Sequence, residues 1–324
     1  MAATERENAL KMLLRTGEPE WVPFLPEYTP GRAIIPTAVR ERPKWGNDGY
    51  DWYGCYWTYD EPTHGFVQDP RRGWPVDDIT DWRNQVKFPD YDAIDWETCA
   101  AEDEKGYDRK NKLIRFMIES GPFERLHSLV GLEEAMISMY TEPEAFKELI
   151  EAITDSKIEL IDRLAKYYRP DALCINDDMG GAGGPLISLD MYREFIKPSH
   201  KRIAEALKRN NIIYVHHSCG KMQDFIDEFI DNGVQVLHPI QSMNDRKMIA
   251  EKYAGKVSFE VSLPVECSRM DVTDETIRAG VRQIVDTFGP YKNFVIAPSG
   301  QRAGLVDVIS DELKRCGRDY YKKT

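Results

Sequence analysis

Residues 212–241 read IIYVHHSCGKMQDFIDEFIDNGVQVLHPIQ, and this stretch decides the fold. Ile212-Ile213-Tyr214-Val215 is a β-branched and aromatic run of strand type. Residues 221–232 place apolar side chains at helical spacing, and Asn232-Gly233 is a helix stop. A second short apolar run, 234–238, follows at once. Strand, helix and strand in this order make a parallel pair with a helical crossover. The alternation continues in both directions, with strands expected at 21–28, 113–118, 172–176, 257–261 and 294–297. Helices are expected at 143–168, 189–210 and 274–287, the last opened by Thr273-Asp274-Glu275. Seven strands can be counted and an irregular eighth is expected. The favoured closure is an α/β barrel of the (β/α)8 type, with an open doubly wound sheet as the alternative.

Composition bounds the function. The chain has 324 residues, 42% hydrophobic and 30% charged, which is ample material for a large core. A net charge of −12 argues against nucleic acid as the principal partner. No apolar run approaches the ~20 residues that span a bilayer, and the start carries no apolar signal region, so a cytoplasmic protein is expected. The six cysteines (55, 99, 174, 219, 267, 316) follow no framework spacing and read as free thiols, some of them available to a metal or to catalysis. Residues 44–98 break the alternation. They hold six of the seven tryptophans and read as an aromatic-rich insertion between the first two strands, either a lid over one mouth of the barrel or an aromatic-stapled surface hairpin.

The downstream ends of the strands are where a parallel barrel gathers its chemistry. Here they are Glu27-Tyr28, Glu119-Ser120, Asn176-Asp177-Asp178, His216-His217-Ser218-Cys219, His238-Pro239-Ile240-Gln241, Glu260 with Ser262, and Pro298-Ser299-Gly300. Acids, histidines, cysteine, glutamine and serine recur at nearly every exit, the pattern of a ligand site. His217 and Cys219, two apart on an extended segment, point the same way and offer one imidazole and one thiolate to a single ion. A third ligand is sought among Cys267, Glu260, Asp178 and, weakly, Ser299. A His-polarised thiolate nucleophile and plain packing are the other readings of the pair. His216 and His238 are expected to be structural. Asp177 is expected to cap the following turn and Asp178 to face the pocket, where loss of water would raise its pKa. Gly180 to Gly184 lacks phosphate-loop spacing and reads as a hinge.

Taken in order, several of these pieces resemble the uroporphyrinogen decarboxylase superfamily. They are Gly121-Pro122-Phe123-Glu124, Asp177-Asp178-Met179-Gly180, residues 195–198, His217-Ser218-Cys219-Gly220, Gly233 through Gln241 and the 294–300 exit. The resemblance runs from near residue 6 to the C-terminus and is stronger toward the zinc- and corrinoid-dependent methyltransferases. It implies a single distorted TIM (β/α)8 barrel domain over 1–324, with 44–98 as a lid-like insertion. The decarboxylases use an arginine-rich segment after the first strand, where this chain has Glu27-Tyr28-Thr29-Pro30-Gly31-Arg32, a departure from that pattern. The His-x-Cys element matches the zinc-ligand pattern at His217 and Cys219, with Cys267 as the third candidate. Thiol-methylating members carry a cysteine at the last exit, where this chain has Ser299. The long aromatic 44–98 insertion looks more like members that demethylate aryl methyl ethers, which implies an O-demethylase that passes a methyl group to the cobalt of a corrinoid on a partner protein. Zinc would act as the Lewis acid. Asp178 and Gln241 are the catalytic candidates, and Tyr28, Trp57, Ser262 and Ser299 the substrate-binding ones. A homodimer is common among such relatives. The competing functions are a metal-independent decarboxylase-like lyase and a non-catalytic corrinoid- or tetrapyrrole-binding barrel.

Overall fold

A computed structural model of the chain describes residues 3–30, 35–39, 41–61, 65–300 and 302–323. Its centre is a six-stranded parallel sheet in sequential order. The strands are β4 (Arg115–Ile118), β5 (Ala172–Asn176), β6 (Ile213–His217), β7 (Val236–Ile240), β8 (Ser258–Ser262) and β9 (Phe294–Ala297). A small antiparallel sheet, β1 (Gly49–Tyr50), β2 (Tyr56–Asp60) and β3 (Gly65–Gln68), precedes them. Helices cover the outer face, as sequential parallel strands require. Pro143–Tyr167 is the longest of them, and it buries Phe146, Leu149, Ile150, Ile153, Leu160, Ile161 and Leu164 along one stripe. Together these elements form the α/β architecture of a distorted TIM barrel. Among the described residues no helix is long and apolar enough to cross a membrane.

The expected first strand at 21–28 is a correction. Only Phe24 pairs, bridging to Ile296 of β9, and a one-turn helix, Leu25–Tyr28, follows immediately. Pro23 and Pro26 explain this, since a proline has no amide to give a ladder. The segment still fills the gap in the ring. Ile296 N–H donates to Pro23 O at 3.2 Å on one side, and Leu113 N–H donates to Tyr28 O at 2.7 Å on the other. The strand expected at 234–238 instead runs to Ile240 and passes through Pro239, with a register shift against β8 between Leu237 and Ile240. A bulge is where a sheet tolerates a proline. The helix expected at 189–210 is interrupted by a π-turn at Tyr192–Ile196. Pro198 cannot supply the next amide there, and the backbone widens.

The Glu5–Leu14 helix closes the bottom of the barrel, burying Ala9, Met12 and Leu13 against Ala172, Ile213 and Val236. The insertion is anchored by buried charge as well as by aromatic packing. Arg125, fully buried, donates to Asp51 Oδ2 at 2.5 Å and faces Glu41 Oε2 at 3.8 Å, while Lys157 pairs with the same Glu41. The guanidinium also lies 4.2 Å from the centre of the Tyr53 ring. Asp51 further accepts from the amides of Tyr53 and Cys55 at 2.9 Å and from Trp57 Nε1 at 2.8 Å. Buried carboxylates persist only when so many partners surround them. Trp57, Trp82, Trp96, Tyr53 and Tyr91 are part of the core, whereas Trp45 and Tyr50 are exposed.

Candidate active site

Parallel pairing puts Asn176, His217 and His238 side by side on β5, β6 and β7. Residues in register on neighbouring strands share a face, and every second residue shares it too. Cys174, Val215 and Val236 therefore line the interior beneath them, with Tyr28 and Val295 in the same cluster. Ile175, His216 and Leu237 point outward under the helices. His216 meets Tyr214 Oη at 3.1 Å through Nδ1 and packs 4.2 Å from the Phe229 ring, while its Nε2 has no hydrogen-bond partner among the described residues. His238 is a different matter. Its Nδ1 lies 2.8 Å from His217 Nδ1, so it belongs to the site and not to the scaffold.

Above this layer two loops converge. Cys219 Sγ is 3.3 Å from His217 Nε2, and Asp178 Oδ1 is 3.6 Å from the same nitrogen. Asp178 Oδ1 also accepts from the Cys219 amide at 2.6 Å, and Gln241 Oε1 accepts from the Gly220 amide at 2.6 Å. The loops touch because Gly180 and Gly220 have no side chains. A Cβ on Gly180 would stand 2.6 Å from Cys219 O, and Gly220, at φ +79°, lies against Gly180 O. Gly180 is thus held by close approach, and of that run only Gly183 and Gly184 have open space where a Cβ would stand.

This donor set fits a metal. Asp178, His217 and Cys219 each offer one ligand atom, and all three atoms lie within 4.8 Å of one another. A tetrahedral ion bound at the usual zinc lengths spaces sulfur and nitrogen about 3.6 Å apart, and nitrogen and oxygen about 3.4 Å. The observed 3.3 and 3.6 Å are close to those edges. The donors are one soft, one borderline and one hard, a mixture that suits zinc. Cys174, His217 and His238 form a second such group, sharing His217.

Burial sets the protonation states. Burial lifts Asp178 to about 6, Asp177 adding to it and the Cys219 amide opposing. His217 is lowered to about 4, by burial first and by Arg115 and Arg42 next, so it is neutral at physiological pH. The Cys219 thiol is pushed well above its ordinary value by burial, with Asp178 and Glu124 adding to it. Without a metal it is a thiol and a poor nucleophile.

The other expected residues are dispersed. Asp177, fully buried, accepts from the amides of Phe123 at 3.1 Å and Glu124 at 2.7 Å, capping the Pro122–Val130 helix and not the turn that follows Asp177. Cys267 is not brought to the His217 pair. Its Sγ faces Thr276 O at 3.6 Å, beside Gly280 of the Asp274–Phe288 helix. Glu260 is engaged by Arg115 at 2.9 Å. Tyr28 is buried, and its hydroxyl has no hydrogen-bond partner among the described residues. Ser299 Oγ is likewise buried and unpartnered, and Ser262 Oγ donates to Ile240 O at 3.3 Å. Trp57 carries the Arg42 guanidinium 4.3 Å from its ring centre. Arg42 itself donates to Glu119 O at 2.9 Å and stands 3.5 Å from Glu124 Oε2. Arg32 lies outside the described residues.

Arg42 and Glu124 were not singled out in the sequence as site residues. Glu124 sits in the first turn of a helix, and its carboxyl is pushed well above the ordinary range by burial and then by Asp178. Its only sequence signal was membership of the Gly121-Pro122-Phe123-Glu124 motif.

The family model for uroporphyrinogen decarboxylase (URO-D) matches residues 106–301. A methylated-thiol–coenzyme M methyltransferase of Methanosarcina mazei is 27% identical over 177 residues, 54% of this chain and 46% of that protein. A uroporphyrinogen decarboxylase of Geobacillus kaustophilus is 25% identical over 166 residues, 51% of this chain and 45% of that protein. The matched part thus spans about half the length of these relatives. A solved methyltransferase from Methanosarcina mazei has the same fold, with a TM-score of 0.70 over 97% of this chain and 99% of that one at 15% identity.

Proposed function

Because the chain belongs to the uroporphyrinogen decarboxylase family, we propose that it is a methyltransferase acting on a methoxylated aromatic substrate. The acceptor is the cobalt of a corrinoid carried by a partner protein, and zinc is held by His217, Cys219 and Asp178. The observation that carries the reading is the convergence of those three donors at the strand exits. Asp178 replaces Cys267 as the third protein ligand in this proposal. Bound there, zinc supplies Lewis acidity to the oxygen that leaves when the methyl carbon is taken.

The residues around the donors serve that step. Gln241 fixes the Gly220 amide with its oxygen, which leaves its Nε2 hydrogens to orient a substrate oxygen. Burial and the charge of Asp178 hold the Glu124 carboxyl well above the ordinary range, which suits it to give a proton to the phenolate after the electron pair has passed to oxygen. Arg115 is paired with Glu260, and Arg42 is held by Glu119 O and the Trp57 ring, so neither is a free clamp for a polycarboxylate. That weakens the decarboxylase reading. The name of the Methanosarcina relative favours a methyl thioether as a second reading. Against it, an oxygen donor at Asp178 makes a harder site than a third thiolate would, which suits an oxygen leaving group.

The test uses zinc-loaded protein with free cob(I)alamin and a panel of methoxylated aromatics and methyl thioethers. The expected result is loss of the cob(I)alamin spectrum with one phenol formed per methyl group moved. Turnover confined to thioethers overturns the choice of substrate, and failure to bind zinc overturns the proposal.

Zinc affinity should also depend on pH in a specific way. Metal binding displaces every proton still held on a ligand. Between pH 7 and 8 only the Cys219 thiol is protonated, since Asp178 titrates at about 6 and His217 at about 4. The affinity should rise about tenfold per pH unit there, steepening toward about a hundredfold per unit below pH 6 as Asp178 takes up its proton. Chelator competition across pH 5.5 to 8 measures the slope, and a flat profile contradicts this ligand set.

A further inference from the structure

His217 has two ring nitrogens and two different neighbourhoods. Nε2 faces Cys219 Sγ at 3.3 Å and Asp178 Oδ1 at 3.6 Å. Nδ1 faces His238 Nδ1 at 2.8 Å, and His238 Nε2 lies 3.8 Å from Glu260 Oε2, which Arg115 holds at 2.9 Å. The four side chains come from three adjacent strands and from β4 across the interior. Two neutral imidazoles in contact through nitrogen share one hydrogen, so the rings have only two arrangements. Either His217 donates from Nδ1 and keeps a lone pair at Nε2, or it accepts at Nδ1 and carries its hydrogen at Nε2. Glu260 decides between them. An ionised carboxylate beyond His238 favours a hydrogen on His238 Nε2, which leaves His238 Nδ1 as an acceptor and places the His217 hydrogen on Nδ1.

We infer that His238 and Glu260 are positioning residues for His217, fixing its tautomer so that the Nε2 lone pair points at Cys219 and Asp178. The consequence for the metal rests on the zinc reading of the mouth, but the tautomer does not. The chain runs Arg115, Glu260, His238, His217, and it has the order of the carboxylate–histidine support that metal-binding imidazoles commonly have, with one extra ring interposed and the carboxylate at ion-pair distance, 3.8 Å, from His238. The rival use of these residues is a metal held by Cys174, His217 and His238, whose ligand atoms also lie within 4.8 Å of one another. The two groups share His217 and differ in Cys174 and His238 against Asp178 and Cys219, so substitutions at His238 and Cys174 separate them.

Two measurements on the full-length protein test the inference. In metal-free protein with nitrogen-labelled histidine, the long-range proton–nitrogen pattern of His217 should show the hydrogen on Nδ1. A hydrogen on Nε2 overturns the inference, whether or not zinc binds. In chelator competition His238→Ala should weaken zinc about 10- to 100-fold. His238→Asn, whose Oδ1 can accept where Nδ1 did, should recover most of that loss, and Cys174→Ser should leave the affinity unchanged. Unchanged affinity in His238→Ala overturns the inference. So does a loss shared by His238→Asn and Cys174→Ser, which would make His238 a ligand. Wild-type protein that binds no zinc, with the hydrogen on Nδ1, removes the zinc reading and keeps the tautomer.

Discussion

Cys219→Ser should lose its zinc and lower kcat/KM for methyl transfer by about a thousandfold, while the metal-free protein keeps its fold. The thiolate is the one soft ligand in the set, and a serine hydroxyl does not ionise at neutral pH to replace it. Without the ion, the developing charge on the leaving oxygen loses several kcal/mol of stabilisation, and each ~1.4 kcal/mol is tenfold in rate. Stability should hardly move, because among the described residues the Cys219 side chain makes one hydrogen bond, to His217 Nε2 at 3.3 Å, and its backbone bond to Asp178 survives the change. Metal content, kinetics and thermal unfolding read the three parts separately. A variant that keeps one zinc per chain but loses turnover would return Cys219 to the role of nucleophile. A variant that keeps both would end the metal proposal at this position.

Arg125→Met should cost about 3–5 kcal/mol of stability, the penalty for breaking a buried ion pair from one side. The guanidinium is fully buried, and two carboxylates, Asp51 and Glu41, face it. Removing it leaves Glu41 with Lys157 alone, and Asp51 with two amides and an indole. The exposed pair of Arg83 and Glu148, at 2.9 Å, is the control, and Arg83→Met should cost about 1 kcal/mol or less. Denaturant unfolding followed by tryptophan fluorescence suits the measurement, since the insertion holds most of the tryptophans. Equal costs for the two variants would show that the insertion is not anchored by this network. Methyl transfer should fall as well in Arg125→Met, because Asp51 also holds Trp57, which carries Arg42 toward Glu124.

Much of the barrel was legible because a strand has a period of two and a helix one of 3.6. The expected strands at 172–176 and 294–297 match β5 and β9 residue for residue. The misplacements have local causes that the sequence carried in its prolines. Pro23 and Pro26 prevent a regular first strand, Pro239 moves β7 by means of a bulge, and Pro198 opens a π-turn. The insertion was legible only as a break in the pattern. Its aromatic residues divide between core and surface according to partners on the Pro143–Tyr167 helix, such as Ser156, which meets Tyr53 Oη at 3.1 Å and Tyr91 Oη at 3.2 Å.

The site divides in the same way. Read from the residues alone, His217 and Cys219 point together, His216 points away, and Asp178 and Gln241 stand at strand exits. Each of these follows from backbone geometry within a few residues. Tertiary packing is what makes His238 face His217, sets Glu124 within electrostatic reach of Asp178, and turns Cys267 to the Asp274–Phe288 helix. Those neighbours are set by the register between strands and by the seating of helices on the sheet. Both are chosen by how the whole core packs, and no local pattern of residues records that choice.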